Sequence, residues 1–241
     1  MSSKIIESSV ENYAIELLEK QGYQYIYGPT IAPDSDTPAR SSFEDVLLLD
    51  HLRTAVARIN PTVSGDVRED AIKQVLRISS PELLVNNETF HRLLTEGIKV
   101  TYQKNSQTRG DLVWLIDFQN PDKNEFLVVN QYTIIENHVN KRPDVILFVN
   151  GIPLVVMELK NPVDENATMH SAYNQLETYK QTIPSLFTYS GFLIISDGLV
   201  AKAGTISSGL SRFMAWKTAD GKVEASNLIS PLETLIVGML N

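Results

Sequence analysis

The stretch Arg142–Pro162, RPDVILFVNGIPLVVMELKNP, constrains the fold more than any other part of the chain. Two short apolar runs, 145–149 and 154–157, flank Asn150-Gly151, a pair that tolerates positive φ and favours a β-hairpin turn. Apolar residues occupy both faces of the pleat in each run. We therefore predict two strands that are buried on both sides, at the centre of a sheet covered by helices.

Charged residues stand at the ends of both predicted strands. Asp144 precedes the first strand, and Glu158 and Lys160 end the second. An ionised side chain in such a dry environment is costly unless it is paired or binds a metal ion. A partner or a bound cation is therefore expected at this place.

The register of the hairpin decides whether the two carboxylates meet. A strict two-residue turn at 150–151 would pair position 144 with 157 and place Asp144 and Glu158 on opposite faces. One extra residue would pair 144 with 158 instead. Because Pro153 cannot donate a hydrogen bond to the ladder, we predict a bulge, a bend or a wider loop near the turn.

Two carboxylates that converge in a cleft form a hard oxygen site suited to Mg²⁺ or Mn²⁺. A lysine beside them can stabilise negative charge on a phosphate oxygen, and Lys160 shares a strand face with Glu158. Taken alone, the triplet Glu158-Leu159-Lys160 is more typical of a solvated strand end with an ion pair. The complete stretch Arg142–Pro162 favours a metal site instead.

Composition limits the class of protein. The 241 residues, 43% of them hydrophobic, can bury a full core in one large domain or two small ones. The lack of a long apolar run and of an N-terminal signal predicts a soluble, cytoplasmic protein without membrane partners. The absence of cysteine excludes disulfides and thiolate metal sites.

The net charge of −8 is unfavourable for a protein that binds DNA without a partner, since neutralising phosphates requires a basic surface. Local positive charge or another polypeptide is then expected to hold any nucleic acid. Lys141 and Arg142 precede the candidate site and are candidate phosphate contacts, although a solvated strand start fits them equally well. The histidines have no ligand spacing and are interpreted as surface or loop residues: His51, His91, His138 and His170.

Apolar periodicity predicts the other elements. Helices are predicted at 3–21, 43–59, 66–78, from 81, at 90–95, at 167–182 and from 231. Strands are predicted at 23–27, 98–102, 112–118, 126–129, 132–135, 192–195 and 199–203.

The domain hypothesis places a mainly helical portion over 1–100 on a core over 101–229. The helix within 230–241 has an apolar stripe with nothing after it in the chain, and is interpreted as leading to an absent region. Glu7 and Glu11 of the first helix are candidate auxiliary acids, but an ordinary solvated helix flank is the favoured interpretation.

Several motifs recur in a familiar order. They are Ala57-Arg58-Ile59-Asn60-Pro61, Phe90-His91, Ile116-Asp117-Phe118, Phe126–Gln131, Pro143-Asp144 with Glu158-Leu159-Lys160, and Gln175–Tyr179. In these motifs the chain resembles the N-terminal nuclease region of the restriction (R, or motor) subunit of type I restriction-modification enzymes, within the PD-(D/E)xK superfamily. The resemblance runs over most of residues 5–240.

The resemblance implies an α/β, restriction-endonuclease-like core with a mixed central sheet flanked by helices, and Mg²⁺-dependent cleavage of double-stranded DNA. Asp144 and Glu158 would be metal ligands, with the Leu159 carbonyl as a third. Lys160 would orient or activate the attacking water and stabilise the pentavalent phosphate. Gln175 and Tyr179 would support the site or contact the DNA backbone.

The resemblance also implies partners, namely methyltransferase and specificity subunits. ATP would act only through an absent motor region, because the chain has no G-x-x-x-x-G-K-[ST] motif. Two alternatives remain open. One is a free-standing nuclease or resolvase of the same fold, and the other is a catalytically silent interaction module.

Overall fold

The structure, a computed structural model, describes residues 2–104, 107–161, 168–225 and 229–241, with side chains from residue 9 to 103 in the first range. The helices are α1 (Ser2–Lys20), α2 (Leu49–Ile59), α3 (Gly65–Leu76), α4 (Leu83–Glu96), α5 (Met169–Thr182), α6 (Pro184–Tyr189) and α7 (Pro231–Met239). The strands are β1 (Gln24–Tyr27), β2 (Ile98–Lys104), β3 (Gln107–Val113), β4 (Phe126–Asn130), β5 (Ile134–Glu136), β6 (Val139–Lys141), β7 (Val145–Val149), β8 (Ile152–Leu159), β9 (Phe192–Ser196) and β10 (Ala201–Gly204).

The central sheet has the strand order β1-β4-β7-β8-β9-β10. The pairs β1–β4 and β8–β9 are parallel, and the other neighbours are antiparallel. The pairs β2–β3 and β5–β6 form separate two-stranded hairpins. A mixed sheet with helices on both faces confirms the predicted fold class, and the predicted central hairpin, β7–β8, lies in its middle.

The two faces of the sheet carry different helices. Ile146 and Phe148 pack in a cluster with α2 to α6. Val145 and Leu147 pack in a second cluster with α1 and α7. Successive side chains of a strand point to opposite faces, so this alternation buries β7 on both sides, as predicted. Each large apolar side chain buried in this way contributes about 1.5–3 kcal/mol to folding.

The turn between β7 and β8 is held from several directions. Asn150 and Gly151 have φ values of 53° and 78°. The Asn150 side chain donates to the Leu115 carbonyl at 2.9 Å and accepts from the Glu125 amide at 2.8 Å. A Cβ added at Gly151 would lie 2.4 Å from the Leu48 carbonyl oxygen. The turn therefore requires both a left-handed backbone and a missing side chain.

We expect Gly151→Ala to lower the free energy of unfolding by about 2–4 kcal/mol, because strain at positive φ and a backbone clash add together. Urea denaturation measures the effect. The matched control is Gly209→Ala, since Gly209 has a φ of −69° and no heavy atom within 4 Å of an added Cβ. Its expected change is below about 0.5 kcal/mol. Equal changes in the two variants would contradict this account of the turn.

Some predicted element boundaries were wrong. The second helix begins at Leu49, whereas 43 was predicted, because the Leu48 amide donates to the Gly151 carbonyl at 2.9 Å and the segment before it packs as buried loop. The strand predicted over 112–118 ends at Val113. The two short helices predicted between 81 and 95 are one helix, α4. Positions 162 and 167 of the predicted elements lie outside the described residues.

The last helix, α7, packs on the first helix of the chain. Leu232, Leu235 and Ile236 of α7 are buried against Ala14 and Leu18 of α1, so the apolar stripe is covered by a distant part of the same chain. A 2.9 Å hydrogen bond from the Tyr13 hydroxyl to the Glu233 carboxylate also joins the two helices. No helix in the described part of the chain is long and apolar enough to cross a membrane.

Candidate active site

A β-bulge in the central hairpin sets the two candidate metal ligands side by side. The ladder shifts register between Leu147 and Phe148, so that β8 contributes one residue more than β7. Extending the shifted ladder one step beyond Val145 sets Asp144 opposite Glu158. Directly opposed residues in an antiparallel pair have Cβ atoms about 4.5–5.5 Å apart. The predicted irregularity is confirmed, and it coexists with a two-residue turn.

The Asp144 carboxylate is oriented by the partner strand. Its Oδ2 accepts a hydrogen bond from the Leu159 amide at 2.7 Å. Burial, followed by the charge of Glu158, raises the pKa of the Asp144 carboxyl well above its ordinary value, although the Leu159 amide and Lys160 act in the opposite direction. Two acids are therefore held together in a place that disfavours their combined negative charge.

Lys160 lies against Glu158. Its Nζ is 2.6 Å from Glu158 Oε1, and the side chains are 20% and 2% exposed respectively. The Lys160 amide donates to the Ser196 carbonyl at 2.7 Å, which fixes the end of β8 beside β9. The interpretation as a solvated strand end is wrong for Glu158, which is almost completely buried. The Lys160 side chain remains partly exposed to solvent.

Helix α5 closes one side of the site. It begins at a capping box formed by Thr168 and Ser171, and it carries Gln175 and Tyr179 one turn apart. Burial, followed by the nearby Glu158 and Asp144 carboxylates, raises the pKa of the Tyr179 hydroxyl, whereas the neighbouring Gln175 side chain acts to lower it. The structure thus places Tyr179 beside the carboxylates and Gln175 beside Tyr179.

The residues just before Asp144 join the site through their backbone. The Tyr179 hydroxyl donates to the Arg142 carbonyl at 3.4 Å. The side chain of Arg142 is exposed, and that of Lys141, at the end of β6, is half-buried. Arg142 is therefore held next to the carboxylates while its guanidinium faces solvent.

Glu11 of α1 approaches the site from the other face of the sheet. It is buried, and it accepts hydrogen bonds from the Asn130 and Gln131 side-chain amides. Its charge is among the influences that raise the pKa of Asp144. The interpretation as a solvated helix flank is therefore wrong for Glu11. The Glu7 side chain lies outside the described residues.

Asn130 and Gln131 were not identified as site residues from the sequence. Asn130 is the last residue of the buried strand β4 and Gln131 follows it directly, and the backbone amide of Gln131 donates to the Asp144 carbonyl at 3.3 Å. Gln131 has a φ of 54°, which turns its side chain towards Glu11. A polar pair at the end of an apolar strand was the signal that could have revealed them.

Residues 4–212 match the family model described as type I restriction enzyme R protein N terminus. The chain belongs to this family.

Two curated relatives of this R-protein N-terminal region are much longer than the part that matches it. The type I restriction enzyme HindI endonuclease subunit of Haemophilus influenzae is 38% identical over 237 residues, which are 97% of this chain and 22% of that protein. The putative type I restriction enzyme MjaIXP endonuclease subunit of Methanocaldococcus jannaschii is 36% identical over 211 residues, 86% of this chain and 20% of that protein. The chain thus spans about a fifth of the length of these relatives.

The donor atoms of this R-protein region fit a divalent cation that keeps some of its water. The described residues contain no group of three or more Asp, Glu or His side chains suited to a metal ion. Asp144 and Glu158, with the Leu159 carbonyl, offer two carboxylates and one neutral oxygen. Mg²⁺ is usually bound by one or two carboxylates together with water and substrate phosphates. Burial disfavours the negative charge of the Asp144 and Glu158 carboxylates, and a bound divalent cation would balance that charge.

Proposed function

We propose that this chain is the nuclease part of a type I restriction enzyme R subunit and cleaves double-stranded DNA with Mg²⁺, for which Mn²⁺ can substitute. The observation that carries the proposal is the register shift that sets Asp144 opposite Glu158, with Lys160 hydrogen-bonded to Glu158. The family and the names of the relatives, which are endonuclease subunits, support the same reaction.

Asp144 and Glu158 would hold the ion, with the Leu159 carbonyl as a third ligand. When bound, such an ion lowers the pKa of its water and stabilises negative charge on a phosphate oxygen. The Leu159 amide fixes the orientation of the Asp144 carboxylate through the 2.7 Å hydrogen bond. The Asp144 carboxylate thus needs little rearrangement on binding, which favours affinity.

Lys160 would act on the substrate itself. Its ammonium is fixed by Glu158 at 2.6 Å and remains partly exposed. From this position it orients the attacking water and stabilises the charge that develops on the phosphate in the transition state. Gln175 and Tyr179 support the site, because the Tyr179 hydroxyl lies close to Glu158 and donates to the Arg142 carbonyl.

The remaining functions of a restriction enzyme would belong to other polypeptide segments. The chain spans about a fifth of its relatives and carries a net charge of −8, which disfavours a strong grip on DNA by this region alone. We assign ATP-driven translocation to a motor region of a longer R subunit. Methyltransferase and specificity subunits would be the partners, in the cytoplasm, and would select the DNA site.

Isothermal titration calorimetry of the chain with Mn²⁺ tests the metal site without relying on activity. Asp144→Asn and Glu158→Gln are each expected to weaken binding by about 10–100-fold or more, since each removes one of two anionic ligands. Asp122→Asn, which changes an exposed acid far along the chain from the site, is the control and should bind as the wild type does. Unchanged affinity in the first two variants would refute the metal assignment.

A further inference from the structure

The hairpin β5–β6 leads directly into the candidate active site. Only Arg142 and Pro143 separate the end of β6 from Asp144. At the other end of the segment, the backbone amide of Gln131, the residue after β4, donates to the Asp144 carbonyl. The segment from Gln131 to Pro143, which contains the hairpin, is therefore anchored beside Asp144 at both of its ends. From its tip at His138 to Asp144 the chain spans at most ~20 Å, the length of roughly six base pairs of DNA.

The tip of this hairpin is a tight turn built without glycine. Asn137 and His138 have φ values of 49° and 64°, the backbone of a two-residue type I′ turn. Glycine adopts this conformation at no steric cost, and Asn and His are among the residues with side chains that are found in it most often. The turn therefore places two polar side chains at the tip, where those of Asn137 and His138 are exposed.

The base of the hairpin is fixed to the helical layer. An isolated two-stranded hairpin is only marginally stable in water. Here the Glu136 carboxylate accepts hydrogen bonds from the Ser185 amide at 3.1 Å and the Ser185 hydroxyl at 2.9 Å. The Ile135 amide donates to the Phe43 carbonyl at 3.0 Å, and Ile134 is completely buried. The tip is therefore presented on a rigid support.

The exposed part of the hairpin offers hydrogen-bond donors and no free acid. Residues 137–142 read Asn-His-Val-Asn-Lys-Arg, in a chain whose net charge is −8. The one carboxylate of the hairpin, that of Glu136, is engaged by Ser185. His138, Asn140 and Arg142 are exposed. Cationic and amide side chains in this arrangement suit DNA phosphates and base edges, and a two-stranded ribbon fits a DNA groove.

We infer that the hairpin β5–β6, with Arg142, is a DNA-contacting arm that lies along the duplex beside the cleaved phosphate. This inference rests on the proposed function and adds to it a surface that positions the substrate. Arg142 contacts phosphates next to the site, and Asn140 and His138 contact the DNA further along. The arm thereby concentrates favourable charge where an acidic protein needs it.

A second exposed hairpin provides a matched control. The strands β2 and β3 also form a two-stranded ribbon, and Thr108 near its tip is exposed. The segment after β3 lies at the turn end of the central hairpin, since the Leu115 carbonyl accepts from Asn150, at the opposite end of β7 from Asp144. A DNA duplex bound at the carboxylates is thus expected to contact β5–β6 and to leave β2–β3 free.

Site-directed cross-linking tests the arm directly. The chain has no cysteine, so Asn140→Cys and Thr108→Cys each create a single attachment point for a photoactivatable cross-linker. Both are made in a Lys160→Ala background, so that double-stranded DNA survives incubation with Mg²⁺ at low salt. Irradiation is expected to yield about 10-fold more cross-linked DNA from position 140 than from position 108, because only the former lies along the bound duplex. Equal yields, or a higher yield at 108, would overturn the inference.

A cleavage assay in the R subunit assembled with its partners, run with the same DNA, separates the two proposals. Cleavage by this assembly without stronger cross-linking at position 140 than at 108 refutes the arm and leaves the nuclease proposal intact. Stronger cross-linking at position 140 without cleavage by the assembly supports the arm and counts against the proposed function.

Discussion

Lys160→Ala is expected to slow Mg²⁺-dependent DNA cleavage by ~10²–10³-fold, equivalent to about 3–4 kcal/mol of transition-state stabilisation. The reason is the position of the ammonium, which is 2.6 Å from Glu158 Oε1 and partly exposed beside both carboxylates. The variant retains both anionic ligands, so its affinity for Mn²⁺ should remain close to that of the wild type. A loss of rate without a loss of metal binding is the signature of a group that acts on the substrate.

The measurement is the rate of linearisation of a supercoiled plasmid at saturating Mg²⁺, in the R subunit assembled with its partners. Lys180→Ala is the matched control. Lys180 forms an ion pair of the same length, 2.6 Å to Glu177, but it also donates to the Ile206 carbonyl and so does not face the carboxylates. The control should cleave at nearly the wild-type rate. Full activity of Lys160→Ala would exclude the assigned role.

The central hairpin shows how far its own sequence determines the site. Asn150-Gly151 dictated the two-residue turn, and Pro153 indicated that the ladder would be irregular next to it. The protein uses both signals. The turn is tight, and the bulge that follows restores the register in which Asp144 meets Glu158. Local backbone chemistry was sufficient here because both signals lie within one hairpin.

Contacts between distant segments could not be predicted in the same way. The amphipathic pattern of α1 indicated a buried stripe, but it did not indicate that α7 would cover it. Nor could it show that Glu11 would meet the side chains of Asn130 and Gln131, more than a hundred positions away. Helical periodicity identifies which side of a helix is apolar, whereas the partner of a polar flank depends on the tertiary arrangement.

Glu158→Gln should have two opposite effects, a loss of cleavage and a gain of stability without metal. Replacing the ligand should reduce cleavage by about 10²-fold or more, as for Lys160. The same change removes a buried charge that lies beside Asp144 and raises the pKa of that carboxyl. We therefore expect the free energy of unfolding in EDTA to rise, because the repulsion between the two carboxylates is relieved.

Glu11→Gln is the control for this gain, because Glu11 is also a buried glutamate but accepts hydrogen bonds from two side-chain amides. An amide at position 11 cannot accept with both of its terminal atoms, so this variant should lose about 1 kcal/mol of stability. Urea denaturation in EDTA compares the two. A loss of stability in Glu158→Gln would contradict the view that charge repulsion at the site is left unbalanced in the absence of an ion.

Adding Mg²⁺ should then reverse the order of stabilities. An ion at a hundred times its dissociation constant stabilises the folded state that binds it by about 2.7 kcal/mol. The wild type should gain this amount, and Glu158→Gln should gain much less because it has lost a ligand. The repulsion between Asp144 and Glu158 that lowers the stability of the metal-free protein is thus the same feature that raises the affinity of the site for Mg²⁺. If Mg²⁺ stabilised both proteins equally, the ion would have to bind somewhere other than between Asp144 and Glu158.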